Sequence, residues 1–372
     1  MNYFDIISQF QIDSVPVSCE PFGNGHINST FVVKTQSGKR YILQRLSEEA
    51  FKDVPALMEN ISGVTEFLDA KSKTDGTVCH VLAPVKTADG ETFIHITERS
   101  DDSDAEAGFY RVSPFAENSI SLEAPESDED FYECAVAFGT FISDLADYPA
   151  ETLHETIPDF HNTVDRYRIF HEALSRAKTD DSLSSRIDDA ADEIRFALER
   201  ENEAGTLQEM RDSGKLPTRV THNDTKLNNV LLDADTRKLK YVIDLDTVMP
   251  GLSLYDYGDC IRFGASTATE DEKDLSRVEC DMHLFEVFTR GFISACKGLT
   301  PEEIKMLPAG AKTITLELGV RFLTDWLDGD KYFATKYPGQ NLDRCRTQFK
   351  LVSDMEKKWD EMRRVINELS GN

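Results

Sequence analysis

Between residues 15 and 46, β-branched and aromatic residues gather into three short runs, 15–22, 30–35 and 40–46, punctuated by Gly23, Gly25 and Gly38. This pattern predicts three strands with tight connections. The period then changes. Over residues 51–70, apolar Leu57, Ile61, Val64 and Leu68 recur at spacings of three and four, which predicts a helix with one buried face. Two further β-like runs, 78–86 and 92–97, flank Ala88-Asp89-Gly90, whose Asp-Gly pair suits a hairpin turn, and another strand is expected at 109–115.

Beyond a polar stretch at 117–130 the helical period dominates, with helices expected at about 130–146, 162–178, 182–203, 279–297, 312–328 and 341–369. Three short β-like runs interrupt this half, at 219–221, 230–232 and 240–243. No repeat or low-complexity tract is present. The pattern predicts an α+β protein with a small, mainly antiparallel β amino-terminal lobe plus one helix, residues 1–113, and a larger, mainly helical lobe, residues 114–372.

The three late strands bracket the most informative polar sequence, His222-Asn223-Asp224-Thr225-Lys226-Leu227-Asn228-Asn229. An apolar strand, a charged turn and a second apolar strand follow, ending in Val242-Ile243-Asp244-Leu245-Asp246. The spacing is H-x-D-x-x-x-x-N, then D. Phosphoryl transfer to a hydroxyl needs a carboxylate to orient or deprotonate the acceptor and oxygen ligands to hold Mg²⁺ against the ATP phosphates. Asp224 suits the first role; Asn229 and Asp244 suit the second, with Asp246 also near the metal. Lys226 is placed to neutralise charge on the moving group, and His222 to brace the loop by hydrogen bonding. Taken one at a time these polar residues read more readily as turn formers, so the weight rests on the combination.

A second feature is Phe22-Gly23-Asn24-Gly25-His26 between two expected strands. Its glycines let backbone N–H groups approach phosphate oxygens, although they equally suit an ordinary turn. The segment lacks the third glycine of G-x-G-x-x-G and the Gly-Lys-Ser/Thr of a Walker A loop, so dinucleotide and P-loop readings fail.

Composition narrows the picture further. Forty-one Lys and Arg stand against 68 Asp and Glu, a net charge of −27 that repels nucleic-acid phosphates and anionic lipid. The acidic run 100–106 lacks the glycine and terminal glutamate spacing of an EF-hand and reads as a solvated connector. The amino-terminal segment has no signal-peptide character and no stretch is long and apolar enough to span a membrane, so a cytoplasmic protein is expected. Seven scattered cysteines without a C-x-x-C pair read as reduced thiols rather than a zinc site.

The order of glycine loop, helix, hairpin, His222-Asn223-Asp224, Asn229 and Asp244 resembles the aminoglycoside phosphotransferase and choline kinase family over nearly the whole chain. More narrowly, Gly25-His26-Ile27-Asn28, Tyr41-Ile42-Leu43-Gln44-Arg45, Arg111-Val112-Ser113-Pro114-Phe115, Thr225-Lys226-Leu227-Asn228-Asn229 and Asp244-Leu245-Asp246-Thr247-Val248-Met249-Pro250-Gly251 resemble the bacterial N-acetylhexosamine 1-kinases. The resemblance implies a bilobal protein-kinase-like fold and an ATP- and Mg²⁺-dependent transfer to the anomeric hydroxyl of N-acetylglucosamine or N-acetylgalactosamine. It makes Asp224 the base and puts the nucleotide near Gly23, Asn24, Gly25, Gln44, Arg111 and Phe115. His26, Arg321 and Tyr332 become candidate sugar contacts, and Asp256 and Asp259 supports of the loop. Gln44 stands where many kinase-like folds carry a lysine, leaving Lys34, Arg45 or the metal to neutralise phosphate charge and putting any partner role of Glu59 in doubt. Another small-molecule kinase of this fold and a non-catalytic binder remain as alternatives.

Overall fold

The structure, a computed structural model, describes residues 2–23, 27–97 and 105–371. Two compact units interleave along the chain. The first comprises Met1–Ile120, Asp147–Pro158 and Leu231–Pro250, the second Ser121–Ala146, Asp159–Val230 and Gly251–Asn372. The candidate loop residues Asn24, Gly25 and His26, and most of the acidic run 100–106, lie outside the described residues.

Helix α1 (Tyr3–Ile7) leads into β1 (Pro16–Pro21), β2 (Ser29–Thr35), β3 (Arg40–Leu46), α2 (Val54–Asp75), β4 (Ile94–Ile96), β5 (Gly108–Pro114) and β6 (Ser119–Ser121). Strands β1 to β5 form an antiparallel sheet in the order β1-β2-β3-β5-β4. One sheet face buries Val33, Tyr41, Leu43, Tyr110 and Val112 together with Ile6, Ile7 and Phe10. The Asp53 side chain caps α2 by accepting from the Ala56 N–H at 3.0 Å, and Gly76, at φ 75°, ends it in the left-handed conformation that glycine adopts without a Cβ penalty. The buried face of α2 is the expected one, with Leu57, Ile61, Val64 and Leu68 all buried.

The second unit begins with α3 (Asp128–Asp144), α4 (Thr163–Thr179), α5 (Ser184–Asp189), α6 (Ala191–Arg200), α7 (Thr206–Asp212) and β7 (Arg219–Thr221). The chain then returns to the first unit from Leu231 to Pro250, where strands β8 (Val230–Asp233) and β9 (Leu239–Val242) join β6 in a three-stranded sheet of order β6-β8-β9, and β10 (Met249–Gly251) follows. Helices α8 (Ser253–Gly264), α9 (Met282–Ala295), α10 (Pro301–Leu327), α11 (Gln340–Lys357) and α12 (Trp359–Ser370) complete the helical unit. Helix α10 starts at a capping box in which Thr300 and Glu303 satisfy each other's backbone N–H groups, with Pro301 at its first turn. It packs against α4, α8 and α11. The approach to α8 is close enough that a Cβ on Gly258 would lie 2.5 Å from the Gly310 carbonyl oxygen, so only glycine fits there.

Several expected elements differ. The run 78–86 is not a strand of the main sheet; it is held by isolated hydrogen bonds, from Val242 N–H to the His80 carbonyl at 2.7 Å and from Val85 N–H to the Val112 carbonyl at 2.8 Å. The turn at Thr87–Gly90 forms, but the strand after it, β4, pairs with β5 instead of closing a hairpin. The helix expected at 182–203 breaks near Ala190, and that at 341–369 breaks at Lys358, whose ammonium bonds the Asp354 carboxylate at 2.8 Å and the Cys280 carbonyl at 2.9 Å. Helix α10 starts eleven residues earlier than its apolar period suggests, and passes through Pro308. Helix α8 was not anticipated, because Tyr255-Asp256-Tyr257-Gly258-Asp259 carries no apolar stripe: the helix is buried on nearly every side. All seven cysteines are free thiols, five of them buried. Among the described residues no helix is long and apolar enough to cross a membrane.

Candidate active site

In the helical unit β7 ends at Thr221, and the chain enters a loop that folds on buried polar anchors rather than on apolar packing. His222 is fully buried, its ring edge-on to Phe138 and Phe141 at 5.4 and 5.8 Å. Asn223 takes a left-handed conformation at φ 63°, which asparagine tolerates better than most residues. Asp256, on the first turn of α8, accepts the His222 and Asn223 backbone N–H groups, one on each carboxylate oxygen and both at 2.8 Å, while its carbonyl accepts the Thr225 hydroxyl at 2.7 Å. The loop backbone therefore hangs from α8.

Asp224 emerges from this frame half-buried. Its carboxylate is shared: Lys226 Nζ lies 2.7 Å from one oxygen and the Asn229 amide donates to the other at 3.1 Å, having also bonded the Asp224 carbonyl at 2.8 Å. His222 Nδ1 accepts the Asp224 N–H at 3.3 Å, so the histidine braces the turn. Burial alone would lower the Lys226 ammonium, yet the Asp224 carboxylate outweighs it and holds the lysine above its ordinary value. Burial alone would likewise raise Asp259, but Arg262, donating to it at 2.8 and 3.0 Å, and Lys226 keep it ionised below the usual carboxylate range.

Asp256 behaves differently, since burial pushes its carboxyl from 3.8 up to about 6 despite the opposing pull of His222 and two backbone donors. Because the folded form binds this proton more readily than the unfolded chain, the group stabilises the fold fully below about pH 4. That contribution is lost as pH rises through about 6. Urea unfolding of the parent and Asp256→Asn at pH 5 and pH 7 is expected to show the parent gaining stability relative to the variant at the lower pH; a pH-independent difference would contradict the raised pKa.

In the β-rich unit a polar chain crosses three strands in register. Arg111 faces Gln44, and Gln44 faces Thr30, across the β5-β3-β2 ladder. Arg111 Nε donates to Gln44 Oε1 at 3.0 Å, and Gln44 Nε2 to the Thr30 hydroxyl at 3.2 Å. The Arg111 guanidinium is ion-paired with Asp246, both side chains being almost fully buried, and the second Asp246 oxygen accepts the Asn28 amide at 2.7 Å. The segment carrying Asp246 is pinned by buried Asn60 of α2, whose amide donates to the Val248 carbonyl at 3.0 Å. It opens at Asp244 in the left-handed region, φ 60°, a conformation of the kind that clusters at functional sites.

Among the other expected contacts, Gly23 (φ 76°) bounds the glycine segment, and Phe115 carries Phe22 edge-on at 5.7 Å under the Arg40 guanidinium. Arg45 pairs with Glu106 at 2.8 Å, and Glu59 with His154 at 2.7 Å rather than with the Gln44 strand. In the helical unit Arg321 lies among Phe160, Phe333 and Tyr332, at 5.5, 5.6 and 5.9 Å from the ring centres. Tyr332 is 72% exposed, on a loop fixed by buried Asp325, which accepts the successive N–H groups of Lys331, Tyr332 and Phe333 at 2.8 to 2.9 Å.

Sequence reasoning missed the His161–Glu317 pair. His161 Nδ1 lies 3.0 Å from buried Glu317, and its Nε2 lies 3.3 Å from the Asn223 carbonyl, just before Asp224. Both partner atoms are oxygen acceptors. Neither residue belongs to a motif, and only the packing of α10 brings them together.

A cation shared with nucleotide phosphates needs few protein ligands, all oxygen. With the Asn229 amide nitrogen directed at Asp224, its side-chain oxygen is the atom left for such a role in the helical unit. Among the described residues no three His, Cys, Asp or Glu side chains gather as a self-sufficient metal cage.

Residues 18–279, well over half the chain, match the model of the phosphotransferase enzyme family that includes the aminoglycoside phosphotransferases. The chain belongs to that family. The fold of this phosphotransferase is the protein-kinase-like one of its solved relatives. An aminoglycoside phosphotransferase from Alicyclobacillus acidocaldarius matches with a TM-score of 0.59 at 14% identity, covering 98% of this chain and 96% of the other. A microcompartment-associated aminopropanol kinase matches at 0.56 and 16% identity, covering 96% of each. An amicoumacin kinase, solved with AMP-PNP, Ca²⁺ and Ami, matches at 0.55 and 13% identity, covering 94% and 90%.

Proposed function

We propose that this phosphotransferase is a small-molecule kinase that moves the γ-phosphoryl group of ATP to the anomeric hydroxyl of an N-acetylhexosamine, giving the sugar 1-phosphate. The observation that carries the transfer chemistry is the Asp224 carboxylate held between Lys226 and the Asn229 amide on a loop tied to buried Asp256. In this reading Asp224 orients the acceptor hydroxyl and takes its proton as the new O–P bond forms and the γ-phosphorus bond to the bridging oxygen breaks, releasing ADP. Lys226 balances negative charge that grows on the transferring group, and His222 keeps the loop shaped. Asn229 and Asp244 would hold Mg²⁺, which would supply charge neutralisation to the ATP phosphates when bound. Asp246, neutralised by Arg111, keeps the end of this segment ordered beside them in sequence.

The acceptor rests on the sequence segments shared with N-acetylhexosamine 1-kinases and on the ring-lined Arg321 and exposed Tyr332 of the helical unit. The related amicoumacin kinase, held with a nucleotide analogue and a divalent cation, supports the nucleotide and metal requirement. Phosphorus NMR after incubation with MgATP and N-acetylglucosamine, N-acetylgalactosamine, glucose, galactose, choline or kanamycin tests this. An anomeric phosphate signal from the N-acetylated sugars is expected; phosphate on choline or kanamycin alone would replace the acceptor, and no transfer to any of them would defeat the sugar reading.

A further inference from the structure

In a chain of net charge −27, arginines usually find a carboxylate: Arg176 holds Asp328, Arg219 holds Glu303 and Arg262 holds Asp259. Among the described residues Arg166 of α4 and Arg321 of α10 form no such ion pair, although the Glu317 charge reaches both. Both converge on Phe160, Arg166 donating to its carbonyl at 2.7 Å and the Arg321 guanidinium lying 5.5 Å from its ring. Arg166 Nε is buried with no hydrogen-bond partner. Glu317, one turn before Arg321, is already engaged by His161 at 3.0 Å and the Thr163 hydroxyl at 2.7 Å. Glu317 offsets part of the charge on the two guanidiniums, but their close approach and the buried Arg166 N–H left unsatisfied both favour a ligand that accepts from them. Burial and the neighbouring Arg321 charge lower Arg166 below its ordinary value, as such crowding requires.

The cluster adjoins the loop that carries Asp224, because His161 follows Phe160 in the chain and touches the Asn223 carbonyl at 3.3 Å. We infer that Arg166 and Arg321 form an acceptor subsite for an sp² oxygen group, an acyl-amide carbonyl or a carboxylate, and that Arg166 sets a preference against cationic acceptors. A guanidinium supplies planar N–H donors to such oxygens, whereas an ammonium group would meet like charge. This deepens the sugar-kinase reading and rests on it for the location of the acceptor, but not for the ligand chemistry.

The test is calorimetric binding to the full chain with AMP-PNP and Mg²⁺, using N-acetylglucosamine, glucuronate, glucosamine and D-glycerate. N-acetylglucosamine and glucuronate are expected to bind at least about tenfold more tightly than glucosamine, the scale of one charge-assisted hydrogen bond. Arg166→Gln should erase that preference while nucleotide binding persists, and Arg321→Gln reads the same preference from the other guanidinium should the first variant fail to fold. Equal binding of glucosamine by the parent, or a preference that survives both substitutions, overturns the inference even if sugar 1-phosphate is formed. Arg166-dependent binding of glycerate without sugar binding or phosphorylation upholds it and removes the N-acetylhexosamine reading. Transfer to choline or kanamycin alone removes both.

Discussion

Asp224→Asn is expected to lower kcat by about a thousandfold, within the range by which a positioned general base contributes, with nucleotide affinity changed little. Asparagine keeps an oxygen for the Asn229 amide, which lies 3.1 Å from the carboxylate, but it cannot take up a proton and leaves Lys226 without the charge now 2.7 Å away. The loop itself hangs from Asp256 and His161 through backbone groups and does not depend on the Asp224 carboxylate. Steady-state kinetics paired with fluorescent-nucleotide binding separate these effects. Unchanged turnover would remove Asp224 from the chemistry, and joint loss of turnover and nucleotide binding would point to a collapsed loop.

The largest stability effect is expected at Asp246→Ala. Arg111 and Asp246 are 7% and 3% exposed, so removing the carboxylate leaves a buried guanidinium whose remaining hydrogen-bond partner among the described residues is Gln44. Breaking a buried pair from one side typically costs about 3–5 kcal/mol, more than the pair itself is worth against apolar residues of similar size. Urea denaturation should therefore find the single variant strongly destabilised and the double variant Arg111→Met with Asp246→Leu less so. A single-variant loss below about 1 kcal/mol, the scale of an exposed pair, would mean that water reaches the pair.

Much of the architecture was legible because it depends on local pattern. Strand β3 falls on its expected span, and the α2 face carries the expected four apolar residues. Misreadings occurred where a short apolar run or a buried helix lacks a one-sided period: residues 78–86 look like a strand but find scattered partners, and α8, buried nearly all round, shows no stripe. The break at Lys358 was invisible because the apolar period runs through it, while the contacts that stop the helix come from residues far away, such as Cys280.

The sequence by itself determined the fold class and the family, through the order of short motifs along the chain, and the loop from His222 to Asn229, whose close spacing sets which groups share a turn. The tertiary structure decided which partner each of these polar residues meets. It tied Gln44 and Arg111 to Asp246, suspended the Asp224 loop from Asp256, and brought His161 of one segment and Glu317 of another beneath Asn223. Those assignments depend on buried side chains 33 to 156 positions apart. No local pattern encodes such distances; only the packing of strands and helices, which excludes water, makes each buried polar group find its partner.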